Sequence, residues 1–277
     1  MVLPDEIADA ALDGDVDTVR RFLAQHPERV NDVSVSGDLA LLTIAIRLIV
    51  DPETRECSPD FVRLLISSGA NVNRRTRPEF GGPTPLHEAC LLAYPVVLEA
   101  LLRAGAGATL VTRGPTGQFE ESQPLAILWG DSWRHFAEQT GRSEEEHLRC
   151  MYECTQLLLR AGHPLDFLHE GTDSTSLEEV LNSIANGYAG DAPHLNDALE
   201  LARAVRAAQS TSTSTRLTPW QKYCLVPPKE LLRLRSQIAR GKVVATRSTP
   251  PHLARLFSRS LPNEIAWRVL AFWNPRY

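Results

Sequence analysis

The sequence contains no apolar stretch of the about 20 residues that a membrane-spanning helix needs. The apolar stretch 40–50 is short and is interrupted by Thr43 and Arg47. The first residues, 1–6, lack the basic and apolar regions of a signal peptide. The five cysteines are scattered and odd in number, which favours free thiols in a reducing compartment over a disulfide framework. We therefore expect an intracellular protein, cytoplasmic or nuclear, without a membrane partner.

Motifs for catalysis and cofactor binding are also missing. No Ser, Cys or carboxylate is placed in the sequence to form a nucleophile motif with His87. His147, Cys150 and Cys154 share one face of a predicted helix, but no fourth ligand accompanies them, so packing in the core is favoured over a metal site. Glycine-rich phosphate loops between a strand and a helix are absent. We expect no catalytic residue, no cofactor and no metal, and hence no enzyme.

Positive charge is concentrated at the C-terminal end. Residues 216–277 carry 12 Lys and Arg against two carboxylates, whereas the whole chain has a net charge of −5. Three explanations compete: the basic segment packs back on the acidic remainder, it binds an acidic partner protein, or it binds nucleic acid. Nucleic acid is the least favoured, because aromatic residues are only 6% of the chain and no nucleic-acid motif is present.

The clearest pattern lies at residues 83–106. Thr84 is a suitable N-cap and Pro85 suits the first helical position, while the His87 imidazole can bond neighbouring backbone. The residue before Pro95 disfavours the α conformation, so a first short helix should end there and a second, amphipathic helix should follow. Gly105 supplies a left-handed cap for the second helix. Such a helix–turn–helix unit cannot enclose its own apolar face and needs similar neighbours.

Similar segments recur along the chain. The segment 61–73 repeats the second helix and a Gly-Ala-x-Val-Asn exit, and 7–23 and 157–166 repeat parts of the same pattern. These segments resemble ankyrin repeats, and Gly69 and Gly105 are separated by nearly the period of about 33 residues. The resemblance implies an all-α fold, an ankyrin-repeat solenoid of about five helix–turn–helix units.

The spacing also predicts the domain boundaries. We expect an ankyrin-repeat domain at 1–208, with an insertion near 129–146 that emerges between the two helices of one repeat, and a degenerate last unit in which Leu195, Leu199, Ala202 and Val205 have helical spacing. The Ser/Thr tract 209–216 is predicted to be a linker. A small, basic helical module should occupy 217–277.

The repeats are predicted to bind a partner protein through exposed loops. The basic tip beside an aromatic residue and the aromatic side chains of the insertion are the candidate contacts, since aromatic and arginine side chains often anchor interfaces. These partner-binding candidates are Arg74, Arg75, Arg77, Phe80, Trp133 and Phe136. Folding of the insertion's aromatic residues into a local core is the alternative for the last two.

The C-terminal segment 261–273 is similar to the first helix of an F-box, which reads Leu-Pro-x-Glu-Ile. The resemblance implies docking on a Skp-type adaptor of a cullin ubiquitin ligase. The implied adaptor-binding residues form an apolar stripe: Leu261, Pro262, Ile265, Val269, Leu270 and Trp273. The segment 235–240 resembles part of a SOCS box, which binds elongin, although Leu234 stands where that family has cysteine. A helix that only caps the solenoid is the third interpretation.

These observations predict a non-catalytic protein–protein interaction module. The sharper hypothesis makes the repeats the substrate receptor of a cullin-type ubiquitin ligase. The alternative is a scaffold whose C-terminal helices only cap the repeats.

Overall fold

The computed structural model describes residues 2–34, 39–48, 59–76, 82–112, 122–130, 133–167, 175–188, 192–211 and 217–224. Within these ranges the regular structure is almost entirely helical, which confirms the all-α fold class. No helix in these ranges is both long enough and apolar enough to cross a membrane.

Among the described residues the α-helices are α1 Asp5–Leu12, α2 Val16–Gln25, α3 Leu41–Leu48, α4 Pro59–Ser67, α5 Pro85–Leu91, α6 Pro95–Arg103, α7 Pro124–Leu128, α8 Trp133–Gln139, α9 Glu144–Arg160, α10 Leu177–Gly187, α11 Pro193–Thr211 and α12 Pro219–Cys224. Two short strands, β1 Asp166–Phe167 and β2 Thr175–Ser176, pair antiparallel, with Asp166 opposite Ser176.

The helices pack as consecutive pairs. Helices α1 and α2, α3 and α4, and α5 and α6 contact each other within a pair, and α7 packs on α9. The first helices form one row, in which α1 contacts α3, α3 contacts α5 and α5 contacts α7. The second helices form another row, since α4 contacts α6 and α6 contacts α9. Helix α8 lies in the chain between α7 and α9 and packs on α9.

Local sequence accounts for the ends of α5 and α6. Thr84 and His87 form a capping box at the start of α5, and Pro85 occupies its first turn. Helix α5 ends before Tyr94, and α6 begins at Pro95. The structure therefore confirms the two helices predicted for this segment. It also places Leu195, Leu199, Ala202 and Val205 within α11, where all four are buried.

The same exit turn follows three of the second helices. Gly69, Gly105 and Gly162 have φ angles of +88°, +89° and +95°, a conformation that favours glycine because it has no Cβ. In each turn the next residue donates its backbone N–H to a carbonyl five residues earlier, at 3.0 Å. These bonds satisfy carbonyl groups that the helix end would otherwise leave unpaired.

The chain divides into two compact units, Met1–Arg203 and Ala204–Tyr277. The first unit holds α1 to α10 and the beginning of α11. The second holds the end of α11 and α12, where the Trp220 and Tyr223 rings lie 5.4 Å apart. The helices predicted after residue 224 fall outside the described residues.

Candidate protein-binding surface

The loops that join successive helix pairs are closed at their bases by backbone hydrogen bonds. The residues that close them are Ser34 with Leu39 (3.0 Å), Thr76 with Pro83 (3.0 Å), Thr112 with Ser122 (2.9 Å) and Leu165 with Leu177 (2.9 Å). The Thr112 hydroxyl adds a second bond by accepting from the N–H of Ser122 at 3.1 Å. Each loop therefore leaves and rejoins the helical rows at a defined point.

Asn73 ties its own loop to the next exit turn. Its side-chain amide donates to the carbonyl of Gly105 at 3.1 Å, and its side-chain oxygen accepts from the N–H of Gly107 at 2.8 Å. One side chain thus satisfies a donor and an acceptor of the following unit.

Asn31 makes the same two bonds one helix pair earlier. It donates to the carbonyl of Gly69 at 3.2 Å and accepts from the N–H of Asn71 at 2.7 Å. The recurrence shows that the first three helix pairs are joined by equivalent contacts.

The two adjacent arginines of the predicted basic tip have different roles. Arg75 donates to the carbonyls of Gly82 at 3.1 Å and Val111 at 2.8 Å, so its guanidinium bridges two neighbouring loops. Arg74 is half-buried, and its buried Nε has no hydrogen-bond partner within the described part of the chain. No hydrogen bond among these residues ties the Arg74 guanidinium to a neighbouring loop, so Arg74 is the better contact candidate of the two. The other predicted tip residues, Arg77 and Phe80, lie outside the described residues.

His87 is a structural residue at the centre of this region. Its Nδ1 accepts from the backbone N–H of Thr84 at 3.2 Å, so the neutral ring carries its proton on Nε2 and donates it to the carbonyl of Leu110 at 2.9 Å. Burial lowers the pKa of His87 from 6.5 to about 4, because the charged ring would lose its hydration. The ring joins the start of α5 to the next loop.

The first-row helices expose little surface. Every residue in Leu41–Ile46, Pro85–Cys90 and Pro124–Leu128 is buried. Arg47 stands at the end of one of these stretches with its side chain 47% exposed. It forms a bidentate ion pair with Glu88 of α5, at 2.6 and 3.2 Å. The Glu88 side chain is only 4% exposed.

The aromatic residues of the insertion are mostly internal. Trp129 is 1% exposed and donates its indole N–H to the hydroxyl of Thr155 at 2.9 Å. Trp133 is 5% exposed and stacks on His147 of α9, with ring centroids 6.3 Å apart. Phe136 is half-buried. The predicted exposed anchor at Trp133 therefore does not agree with the structure, in which this ring belongs to the local core.

Arg142 holds the α8–α9 connection against the α5–α6 turn. Its guanidinium donates to the carbonyls of Leu92 at 3.2 Å and Ala93 at 3.0 Å, and its Cζ lies 4.2 Å from the centre of the Tyr94 ring. Ala93 has a φ angle of +46°, which is uncommon for a residue with a Cβ. Arg142 thus anchors the insertion to the neighbouring helix pair.

A second arginine packs over two neighbouring aromatic rings, which sequence analysis missed. The Cζ of Arg134 is 5.2 Å from the centre of the Trp133 ring and 5.8 Å from that of Tyr188, at the end of α10. The Nε of Arg134 also lies 3.9 Å from the carboxylate of Glu144. No sequence pattern connects Tyr188 with residues so much earlier in the chain.

The three side chains that share one face of the predicted helix, and that a metal would need as ligands, are all buried in α9. His147, Cys150 and Cys154 all lie in the interior, and burial raises the pKa of both thiols. Within the ranges that the structure describes, no three His, Cys, Asp or Glu side chains come together as metal ligands. The predicted adaptor-binding residues Leu261, Pro262, Ile265, Val269, Leu270 and Trp273 lie outside these ranges.

A scan of protein-family models and a search of the curated proteins found no match to this chain. The contacts described above are therefore the basis for assigning a function.

Proposed function

We propose that this chain is an ankyrin-repeat protein that binds a partner protein through the loops between its helix pairs and has no catalytic activity of its own. The observation that carries the proposal is the recurrence of one unit: a helix pair, a glycine exit turn, an asparagine tie and a loop closed at its base. Stacked units of this kind leave their loops free to vary while the helices form a continuous core.

Burial narrows the surface that such a partner can contact. The first-row helices α3, α5 and α7 have long stretches without an exposed residue, so their side chains are poor anchors in this conformation. The described ends of the loops and the exposed residues of the insertion remain. Arg74 belongs to this surface and is not needed to join neighbouring loops, whereas Arg75 is. Arginine is among the residues that most often dominate binding energy at interfaces.

Affinity purification with quantitative mass spectrometry tests the proposal. The baits are the full chain, Arg74→Glu, and a matched control, Arg20→Glu, which reverses the charge of an exposed arginine on α2. We expect at least one protein to be captured by the full chain and the control and to be lost with Arg74→Glu, while all three baits keep the same melting temperature. If no protein is enriched over an unrelated bait, or if Arg74→Glu retains every one, binding through these loops is refuted.

Recruitment of a ubiquitin ligase stays a prediction from the sequence of 261–273. The same purification addresses it through the double substitution Ile265→Asp/Leu270→Asp. A Skp-type or elongin adaptor and a cullin that co-purify with the full chain and disappear with the double variant would make the repeats a substrate receptor. If neither appears with the full chain, the protein is a non-catalytic scaffold.

A further inference from the structure

Trp133 of the insertion and Tyr188 at the end of α10 form the two walls of an open slot, and the guanidinium of Arg134 already packs over both rings. The Trp133 and Tyr188 ring centroids are 6.5 Å apart, and the two planes are inclined by 36°. Arg134 places its Cζ within 6 Å of both centroids, at 5.2 and 5.8 Å. Two aromatic faces at such distances attract a cation through their ring quadrupoles.

A nearby carboxylate and the packing behind the Trp133 ring also favour a cation in the slot. The Glu144 carboxylate lies 3.9 Å from Arg134 Nε and is 51% exposed. Burial raises the pKa of Tyr188, and the Glu144 carboxylate beside its hydroxyl raises it further, so the ring stays neutral. On the other side, Trp133 is supported by the stacked ring of His147, which is 1% exposed. The slot is therefore built from positioned groups.

The arginine that fills the slot is easily displaced. Its side chain is 51% exposed, so its contacts compete with water. An exposed cation–π contact and an exposed ion pair are each weak, and together they favour the filled slot by a factor of only about five to thirty. A competing cation of the same chemistry can therefore enter at a modest cost.

We propose that Trp133, Tyr188 and Glu144 form a recognition site for an arginine side chain of a partner protein, and that Arg134 occupies this site in the free chain. The inference rests on the proposed function, which it deepens by naming the chemistry of one contact. Trp133 is only 5% exposed while Arg134 packs over its ring. On binding, Arg134 turns outward and uncovers this ring, and the partner's guanidinium takes its place over the two rings. The same carboxylate, Glu144, pairs with either guanidinium.

A small probe tests the site without any partner. N-acetyl-L-arginine methylamide is titrated into the full chain and into Arg134→Ala, and the chemical shift of the Trp133 indole N–H is followed by NMR, with Trp133→Phe identifying the signal. Because the contact area is small, we expect a dissociation constant on the order of 1 mM for Arg134→Ala and about five- to thirtyfold weaker binding for the full chain.

Two controls separate this site from non-specific binding. The citrulline analogue of the probe has nearly the same shape but no charge, and it should not bind. Adding Tyr188→Leu to Arg134→Ala removes one aromatic wall and should abolish the titration. If Arg134→Ala proves unfolded by circular dichroism, the full chain must still show a weak titration that Tyr188→Leu abolishes.

Three results would overturn the proposal: no saturable shift in a folded Arg134→Ala, equal binding of the citrulline analogue, or binding that survives Tyr188→Leu. Each would leave partner binding through the loops untouched. Conversely, the probe could bind as expected while Arg74→Glu leaves protein capture unchanged. That result would refute the proposed function and support the arginine site.

Discussion

Replacing Asn73 by alanine tests whether the helix pairs are held together by their asparagine ties. The substitution removes the bonds to the Gly105 carbonyl at 3.1 Å and from the Gly107 N–H at 2.8 Å. An intramolecular hydrogen bond contributes about 0.5–1.5 kcal/mol. Since both bonds are near the surface, water can partly replace the side chain, and we expect a total loss of about 1–2 kcal/mol.

The loss should appear as a lower melting temperature. For a unit of this size, 1 kcal/mol corresponds to about 2–4 °C, so far-UV circular dichroism should show a decrease of about 2–8 °C. Hydrogen exchange adds a local readout, because the Gly107 amide should lose protection when Asn73 Oδ1 no longer accepts its proton.

Two matched variants make the result interpretable. Asn31→Ala removes the same two kinds of bond one helix pair earlier and should cost a similar amount. Asn186→Ala changes an exposed asparagine within α10 and should shift the melting temperature little, because alanine favours the helix. If Asn73→Ala melts within about one degree of Asn186→Ala and keeps the Gly107 amide protected, the ties do not stabilise the stack.

Further predictions concern the buried charges and histidines. Arg47→Met should lower the free energy of unfolding by about 2–4 kcal/mol, because it leaves the buried Glu88 carboxylate without its ion-pair partner. Adding Glu88→Leu should restore most of the lost free energy, which urea unfolding measures. Arg75→Ala should cost about 1–3 kcal/mol in the same assay through two lost bonds to carbonyls, whereas Arg74→Ala should cost under about 0.5 kcal/mol. Burial lowers the pKa of three histidines from 6.5 to about 4: His87, His147 and His163. Between pH 6.5 and about pH 4 the unfolded chain binds more protons than the folded chain. The contribution of the neutral rings to the free energy of unfolding should therefore be fully present above about pH 6.5 and decrease toward pH 4, by up to about 1.4 kcal/mol per pH unit for each ring. Urea unfolding that gave the same free energy at about pH 8 and about pH 5 would contradict this.

Local signals predicted the parts of the fold that depend on neighbouring residues. Thr84 and Pro85 define the start of α5, and Pro95 defines the start of α6, because capping and proline geometry act within one turn. The role of His87 at the backbone was also predictable. Its second partner, the carbonyl of Leu110, was not, because it comes from the following loop.

Contacts between distant segments decide which candidate site residues are accessible. Arg74 and Arg75 are adjacent and chemically identical, and only the positions of Gly82 and Val111 make one of them structural. For Trp133 the sequence left two possibilities open, an exposed anchor and a local core. The packing of α8 on α9 decides between them.

The contacts of a polar residue in this chain, and not its residue type, therefore decide whether it is structural or available to a partner. Arg75 was a candidate for the binding surface, yet it donates to backbone carbonyls of two neighbouring loops, and Asn73 and His87 likewise bond backbone groups of the following unit. Replacing them would weaken partner binding indirectly, by loosening the stack. Within the described residues, Arg74 and Arg134 make no such bonds to backbone groups. A loss of binding on their replacement, with the melting temperature unchanged, would therefore identify a direct contact.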